Sequence, residues 1–214
     1  MSDQTIEIIV LPWQKRFFDI VVSLIFIIIS LPLTFFILFW IFLEQILFFR
    51  SRGPLFYSET RISKGKEFKF YKWRIFKVGA LKRALAEDGY VETAKVQSDK
   101  NNLTYYGRFL KRIYMDEMPQ LWNVLRGDMT LVGPRPTNVK NSKTYQEAGN
   151  FTREVIVCGL TGTFQCEKGH GFDQLRCDRE YIKFVQTHSG WRIVLNDIWV
   201  LLKTMRIVFE ARGI

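Results

Sequence analysis

The sequence is poor in the residues that build disulfide frameworks and transition-metal sites. Among its 214 residues are three cysteines and two histidines. The number of cysteines is odd, and no two of them have the Cys-x-x-Cys spacing: Cys158, Cys166 and Cys177. This excludes a small disulfide scaffold and a zinc ribbon, and a histidine-rich metal site is not expected. We predict reduced thiols in a cytosolic setting.

Charge is absent from one long stretch. Residues 20–43 contain no acidic or basic side chain. A helix needs about 20 apolar residues to cross the hydrocarbon core of a bilayer, so this segment is long enough to be a membrane helix. It is not a cleaved signal peptide, because the apolar run is too long and no small-residue cleavage site follows it.

Two features argue against a simple crossing of the bilayer by this segment. Pro32 removes a helix hydrogen bond near the middle, and Ser30 can bond a backbone carbonyl that is freed there. Basic residues, which mark the cytoplasmic side of membrane segments, occur on both flanks: Lys15, Arg16, Arg50 and Arg52. We therefore predict a re-entrant membrane helix that breaks at Ser30 and Pro32. A kinked single span and a buried core helix are the alternatives.

Acidic residues are scarce relative to basic ones. The 21 Asp and Glu residues face 31 Lys and Arg residues, which leaves a net charge of +10. Such an excess indicates an anionic partner: nucleic acid, phospholipid head groups or phosphorylated substrates. Hydrophobic residues make up 48% of the chain, which excludes a disordered polycation.

Beyond residue 50 the apolar periodicity predicts an α+β domain, mostly helical, with a small β-hairpin. Residues 55–60 and 67–76 are rich in aromatic side chains and flank a turn that contains Gly65. Helices are predicted over residues 103–114, 116–125, 139–148, 173–187 and 191–210. Residues 80–102 are predicted to form a loop with a short helix, and residues 158–173 to form loops. The predicted organisation is an N-terminal membrane helix-hairpin, 1–50, and a cytoplasmic catalytic domain, 51–214.

An acidic pair stands out in this basic domain. Asp116 and Glu117 are predicted near the start of a helix, where carboxylates interact favourably with the helix dipole by up to about 1 kcal/mol. Adjacent positions on a helix point about 100° apart. One carboxylate could therefore bind a divalent metal while the other acts as a nucleophile or relays a proton. The residues alone leave the dipole interpretation and the chemical one open.

Several basic residues are candidates for phosphate binding. In Gly133-Pro134-Arg135-Pro136 two prolines fix the backbone, so that Arg135 could present a bidentate fork to a phosphate. Lys72 and Arg74 are predicted to share one face of a strand and could clamp a diphosphate. Arg112 precedes the acidic pair and would keep it ionised. An ordinary exposed turn and a solvated basic strand are the alternatives.

The segment Met115–Pro136 resembles the signature of the bacterial sugar transferases, the monotopic polyprenyl-phosphate phosphoglycosyl transferases. The matching residues are Asp116, Glu117, Pro119, Gln120, Leu121, Trp122, Asn123, Gly127, Asp128, Met129, Gly133, Pro134, Arg135 and Pro136. Residues 15–19, 53–56 and 70–74, and the surroundings of Asp178 and Asp197, are similar to further parts of the family pattern. The resemblance covers most of the chain.

The resemblance implies a mechanism. A nucleotide diphospho-sugar, usually a UDP-sugar, would bind with Mg²⁺, and Asp116 would attack the sugar-proximal phosphorus and expel UMP. Polyprenyl (undecaprenyl) phosphate would then accept the phosphosugar. Glu117 would be the Mg²⁺ ligand, and Lys72, Arg112 and Arg135 would stabilise phosphoryl charge. Asp178 is a further candidate site residue.

The resemblance also implies a location and partners. It predicts a bacterial cytoplasmic membrane protein whose catalytic domain faces the cytoplasm, with membrane phospholipid as a partner. A homodimer is compatible with the family, and nucleic acid is not an expected partner. Two rival functions remain: a membrane-tethered module that binds anionic lipid or nucleic acid, and a structural protein that spans the membrane once.

The sequence departs from the family pattern at two places. The family often has adjacent Ser and Pro at the membrane break, whereas Leu31 separates Ser30 from Pro32 here. After Gly162, Thr163 and Phe164 replace the usual Gly-Trp. The sugar is therefore not predicted.

Overall fold

The computed structural model describes residues 7–88, 91, 93–166 and 173–209. The α-helices of these residues are α1 Trp13–Leu47, α2 Val78–Asp88, α3 Thr93–Ser98, α4 Tyr105–Arg112, α5 Gln120–Arg126, α6 Val139–Glu147, α7 Thr152–Val155, α8 Thr163–Cys166, α9 Gln174–Thr187 and α10 Gly190–Phe209. Short 3₁₀ turns cover Phe49–Ser51, Lys100–Asn102 and Met115–Glu117. The strands are β1 Phe56–Ser63, β2 Lys66–Trp73, β3 Thr130–Val132, β4 Thr137–Asn138 and β5 Gly159–Thr161. The mostly helical α+β class is confirmed.

The predicted β-hairpin is present and extends into a three-stranded sheet in the order β2-β1-β4. Lys64 and Gly65 both have positive φ, 51° and 69°, as a two-residue hairpin turn with the twist of its strands requires. Strand β4 pairs antiparallel with β1, and Arg61 lies opposite Asn138. This pairing places the end of the Gly-Pro-Arg-Pro segment beside the hairpin.

Helix α1 is a candidate membrane helix by length and composition. Its most apolar 18-residue window has a mean hydropathy of 2.8, and 11% of that window is buried, which argues against a core helix. The helix runs without interruption through Pro32, so the predicted break is not seen, and the re-entrant course stays a prediction. Ser30 Oγ donates to the carbonyl of Ile27 at 2.9 Å, next to the carbonyl of Ile28 that Pro32 leaves without its helical donor.

The chain forms two compact units. Unit 1 comprises the described residues of Met1–Phe26, Glu59–Phe70 and Gln120–Ile214, and unit 2 comprises Ile27–Ser58 and Tyr71–Pro119. The core of unit 2 packs side chains of α1 around the segment that follows β2; its buried members include Ile37, Ile41, Trp73, Ile75, Phe76, Leu103, Tyr106 and Leu110. In unit 1 the buried strand β3 pairs in parallel with β5. The functional division predicted at residue 50 stays a prediction.

Three local predictions were wrong in detail. Residues 80–102 are more helical than expected, since α2 and α3 occupy much of the range. Part of the Gly-rich region 158–173 forms β5 and α8, while residues 167–172 lie outside the described residues. The helix predicted from Asp116 begins only at Gln120, because a separate 3₁₀ turn, Met115–Glu117, precedes Pro119. The helices near 105–112, 139–147, 174–187 and 190–209 are confirmed.

Candidate active site

The acidic pair of unit 2 lies in the 3₁₀ turn that follows α4. Tyr114 opens this turn in the left-handed conformation, with φ 56° and ψ 17°, which few residues other than Gly, Asn and Asp adopt. Successive residues of a 3₁₀ helix are about 120° apart. Asp116 is accordingly buried, 5% exposed, whereas the side chain of Glu117 is 20% exposed. The two carboxylates therefore have different environments, as two different chemical roles require.

Lys72 and Glu117 form an ion pair next to Asp116 in the chain. The Nζ atom of Lys72, on β2, donates to Oε1 of Glu117 at 2.8 Å. Both side chains are largely buried, at 10% and 20% exposed, so solvent screens this pair less than a surface pair. The structure thus brings together two of the residues that the sequence proposed for phosphate and metal chemistry.

The negative charge of this turn also affects the pKa of the Tyr114 phenol. Burial raises the pKa of Tyr114, and the charges of Glu117 and then Asp116 raise it further. Its hydroxyl is buried and has no hydrogen-bond partner among the described residues. Tyr114 could not be predicted from the sequence, because its left-handed backbone conformation has no signal there.

Arg74 has a different role from the one predicted. The side chain is 1% exposed, and its guanidinium donates to the carbonyls of Pro54 at 2.6 Å, Ser51 at 2.8 Å and Phe76. These bonds hold the segments on either side of the hairpin, so the guanidinium of Arg74 serves the fold of unit 2 rather than a phosphate. Arg112 is exposed at the end of α4.

Glu44 is a structural residue of unit 2 that was not predicted. It is 3% exposed on α1, and its carboxylate accepts hydrogen bonds from the backbone N–H groups of Tyr105 and Tyr106, at 2.9 and 2.7 Å, and from Ser51 Oγ at 2.6 Å. A carboxylate at the start of α4 satisfies N–H groups that have no helical partner. An acidic residue at the end of an apolar run was the available signal.

In unit 1, the Gly-Pro-Arg-Pro turn is packed backbone against backbone. The N–H of Gly133 donates to the carbonyl of Thr161 at 2.9 Å, and the N–H of Gly159 donates to that of Pro134 at 2.8 Å. A Cβ at Gly159 would lie 2.1 Å from the nitrogen of Gly133. The Gly-rich segment is therefore a strand because its glycines permit this close approach.

Arg135 lies in this turn and is half-buried. Its Nη1 atom donates to the carbonyl of Leu160 at 3.2 Å. The prolines on both sides restrict the backbone as predicted, while strand β5 supplies a restraint that the sequence did not reveal.

Asp178 pairs with a buried arginine, Arg153. This partner was not predicted from the sequence. Its carboxylate lies 2.7 Å from Nη2 of Arg153, and the two side chains are 5% and 2% exposed. Burial raises the pKa of Asp178 to about 6, although the positive charge of Arg153 opposes this shift. Arg153 and Asp178 therefore form a buried ion pair within unit 1.

A buried polar cluster anchors the first turns of α1 in unit 1. Lys15 pairs with Asp197 of α10 and donates to the carbonyl of Val132 at 3.1 Å. Asp19 accepts from Thr130 Oγ1 at 2.5 Å and from the N–H of Leu131 at 3.1 Å. Burial raises the pKa of Asp197, and Lys15 opposes the shift. Residues 15–19, Lys-Arg-Phe-Phe-Asp, therefore hold strand β3, which leads into the Gly-Pro-Arg-Pro turn.

The family model described as bacterial sugar transferase matches residues 10–211. The chain belongs to the bacterial sugar transferase family. The match includes α1, the acidic pair and the Gly-Pro-Arg-Pro turn, so the resemblance in Met115–Pro136 is confirmed.

Curated relatives of this sugar transferase agree with the family. An undecaprenyl-phosphate galactose phosphotransferase of Salmonella typhimurium is 34% identical over 211 residues, which cover 93% of this chain and 41% of the relative. A UDP-glucose:undecaprenyl-phosphate glucose-1-phosphate transferase of Xanthomonas campestris is 30% identical over 165 residues, 74% of this chain and 32% of the relative. The exopolysaccharide production protein ExoY of Sinorhizobium fredii is 28% identical over 213 residues, 94% of this chain and 87% of the relative. The chain thus spans less than half of two relatives and most of the third.

Proposed function

We propose that this protein transfers a phosphosugar from a UDP-sugar to undecaprenyl phosphate, the first membrane step in the assembly of a cell-surface glycan. The observation that carries the proposal is the turn Met115–Glu117, in which a buried Asp116 adjoins the Lys72–Glu117 ion pair. Relatives named as undecaprenyl-phosphate sugar phosphotransferases support this class of donor and acceptor.

The proposed reaction has two displacements at one phosphorus atom. A carboxylate oxygen of Asp116 attacks the sugar-proximal phosphorus, the bond from that phosphorus to the bridging oxygen breaks, and UMP leaves with that oxygen. An oxygen of undecaprenyl phosphate then attacks the same phosphorus and the Asp116 carboxylate leaves. The products are undecaprenyl-diphospho-sugar and UMP, and the enzyme is regenerated.

Basic residues would bind the phosphates in both displacements. Lys72 lies beside Glu117 and would contact donor phosphate oxygens, while Arg112 and Arg135 would stabilise charge on the transferred group. Electrostatic contacts of this kind are strongest where water is excluded. The side chain of Lys72 is largely shielded from water, since it is 10% exposed.

Magnesium fits the donor set of the acidic turn. Among the residues that the structure describes, no group of three His, Cys, Asp or Glu side chains could enclose a metal. Mg²⁺ needs no such group, since it commonly uses one or two carboxylates together with substrate phosphates and water. Glu117 would hold the ion, which would neutralise phosphate charge on the donor. Lys72 would keep Glu117 in place.

Two exposed apolar surfaces support attachment of the protein to a phospholipid membrane. The first is α1, whose side chains are mostly exposed between residues 24 and 43. The second, within unit 1, is the outer face of α10: Trp191, Leu195, Ile198, Trp199, Leu202 and Met205. Trp191 packs edge-on against Trp13 at the start of α1, with ring centroids 6.2 Å apart. We propose that the catalytic part faces the cytoplasm, where nucleotide sugars are made available to it.

The first experiment is intact-mass measurement of detergent-solubilised protein after incubation with UDP-sugars and Mg²⁺ without lipid acceptor. We expect a mass increase equal to one phosphosugar on the wild type and none on Asp116→Asn. Glu180→Gln is the control, because it replaces an exposed carboxylate on α9 and should retain the adduct. The donor that yields the adduct identifies the sugar.

Two outcomes would contradict parts of the proposal. UMP release that needs undecaprenyl phosphate, with no adduct from any donor, would indicate direct transfer in one step. Full activity of Asp116→Asn would show that Asp116 is not the nucleophile. No turnover by the wild type with any donor would favour a membrane-tethered binding module.

A further inference from the structure

The carbonyl groups of three consecutive residues in the Gly-Pro-Arg-Pro turn accept hydrogen bonds from three different elements of unit 1. The carbonyl of Pro134 accepts from the N–H of Gly159 at 2.8 Å. That of Arg135 accepts from Nε of Arg153 at 3.2 Å, and that of Pro136 accepts from Nη1 of Arg61 at 3.0 Å. Two of the three donors are arginine side chains.

Each of these arginines is itself held by an acid and by an aromatic ring. Arg153 pairs with Asp178 at 2.7 Å and lies 5.3 Å from the centre of the Tyr145 ring. Arg61 pairs with Glu59 and lies 3.9 Å above the centre of the Phe70 ring. Hydrogen bonds and ring contacts on all sides leave such guanidinium groups little rotational freedom.

We propose that Arg61 and Arg153 are positioning residues that fix the backbone of Pro134–Pro136 and thereby aim the guanidinium of Arg135 at the transferred phosphate. The proposal rests on the function proposed above, in which Arg135 binds that phosphate. It assigns Asp178 to the support of Arg153 rather than to contact with substrate.

The burial of both arginines favours this assignment over direct substrate binding. Arg153 is 2% exposed, and the side chain of Arg61 is 13% exposed. Both donate to backbone carbonyls of the turn and pair with neighbouring acids, and Arg153 also donates to the hydroxyl of Thr152, so their charges are compensated within the protein. A displacement of about 1 Å in a phosphate-binding group lowers catalysis substantially, so a small change in these supports should reach Arg135.

Conservative variants separate positioning from general support of the fold. Arg153→Lys and Arg61→Lys keep the positive charge and can keep the ion pair, but lysine lacks the planar fork that reaches carboxylate and carbonyl together. Each variant is measured alone and combined with Arg135→Ala, with steady-state kinetics of UMP release as the readout. Arg176→Lys is the matched control, since Arg176 pairs with Glu180 on the exposed face of α9.

We expect each lysine variant to lower kcat about tenfold, with less than a threefold change in the KM for the UDP-sugar. In the Arg135→Ala background the same change should lower kcat less than twofold, because the group that it positions is gone. A loss of the same size in both backgrounds would overturn the proposal, because a merely structural residue acts independently of Arg135.

The experiment distinguishes failure of this inference from failure of the proposed function. If Arg135→Ala alone leaves kcat and KM unchanged, the phosphate-binding role of Arg135 is wrong and the proposed function needs revision. If Arg135→Ala lowers kcat but the losses are additive, the function stands and the positioning role falls. Should Arg153→Lys fail to fold, Arg61→Lys, whose side chain is less deeply buried, decides between additivity and coupling.

Discussion

The turn that carries Asp116 and the turn that carries Arg135 differ in how their backbones are held. In Met115–Glu117 the N–H groups of Glu117 and Met118 reach their carbonyl acceptors at 3.5 and 3.3 Å. In the Gly-Pro-Arg-Pro turn the corresponding backbone bonds are 2.8 and 2.9 Å, and two arginines add side-chain donors. Hydrogen bonds weaken with length, so the first backbone is held more loosely.

This difference matches the two chemical roles that we propose. An aspartate that forms and then breaks a bond to phosphorus must move by a fraction of an ångström during the reaction. An arginine that stabilises charge acts best when it is already in place and costs no reorganisation. We therefore propose that the turn with longer backbone hydrogen bonds carries the nucleophile and the turn with shorter ones carries the phosphate ligand.

The largest expected effect would sharpen the contrast between nucleophile and ligand. Asp116→Asn should lower kcat at least about 10³-fold, since it removes the carboxylate that we propose forms the covalent bond. Arg135→Ala should lower it by only about 10- to 100-fold, because one charged donor is lost. Steady-state UMP release measures both. Equal losses in the two variants would contradict the separate roles.

The next test concerns the rigidity of the Arg135 turn. Gly159→Ala places a methyl group 2.1 Å from the nitrogen of Gly133, and overpacking of this kind costs about 1–3 kcal/mol in stability. The midpoint of thermal unfolding should fall by roughly 2–4 °C for each of these kcal/mol. Gly149→Ala is the control: it has a positive φ of 72° but open space around it. A smaller decrease in the unfolding midpoint for Gly159→Ala than for Gly149→Ala would show that the turn can rearrange to accommodate the methyl group.

A pH test examines the acid that supports the rigid turn. The pKa of Asp178 is raised from 3.8 to about 6 by burial, against the opposing charge of Arg153. Between these values the folded protein keeps a proton that the unfolded chain has released, so the free energy of unfolding falls as the pH rises from about 4 to about 6. The groups that face Asp178 are Arg153, the Cys158 thiol and Asp173.

Thermal unfolding across this pH range, in the wild type and in Asp178→Asn, measures the effect. The difference in the free energy of unfolding between the two proteins should change by about 3 kcal/mol across the range, since one pKa unit corresponds to about 1.4 kcal/mol. Asparagine can still accept a hydrogen bond from Arg153, so the variant should fold. If this difference stays constant from pH 4 to pH 7, the pH dependence of the free energy of unfolding comes from another group.

The smallest expected effect compares one tyrosine from each unit. Tyr181→Phe removes a hydroxyl that donates to the carbonyl of Val132 at 2.9 Å and lies 3.1 Å from Asp197, and should cost about 1–3 kcal/mol. Tyr114→Phe removes a buried hydroxyl without a partner among the described residues and should leave stability unchanged or raise it by about 1 kcal/mol, because an unsatisfied buried hydroxyl is destabilising. Thermal unfolding gives both values. Equal losses would mean that the acidic turn is held as firmly as the core of unit 1.

Much of the fold and the family could be predicted from the sequence because the signals are local. The aromatic alternation and the Lys64-Gly65 turn predicted the hairpin. The uncharged run predicted the long apolar helix, and the motif from Met115 to Pro136 predicted the family. The break at Pro32 was not found: helix α1 runs through Pro32, although proline leaves the carbonyl of Ile28 without its helical donor.

The sequence by itself determined the family and the candidate residues for the chemistry: an acidic pair after a basic helix and an arginine between two prolines. The tertiary structure decided which basic residues lie beside the acidic pair and which are bonded within the fold. Lys72 pairs with Glu117, while Arg74, two residues later, is bonded to three carbonyls. Arg153, which had no local signal, supports the Arg135 turn. A guanidinium gains most from acceptors that chain segments distant in sequence bring around it, and only the folded chain assembles those acceptors.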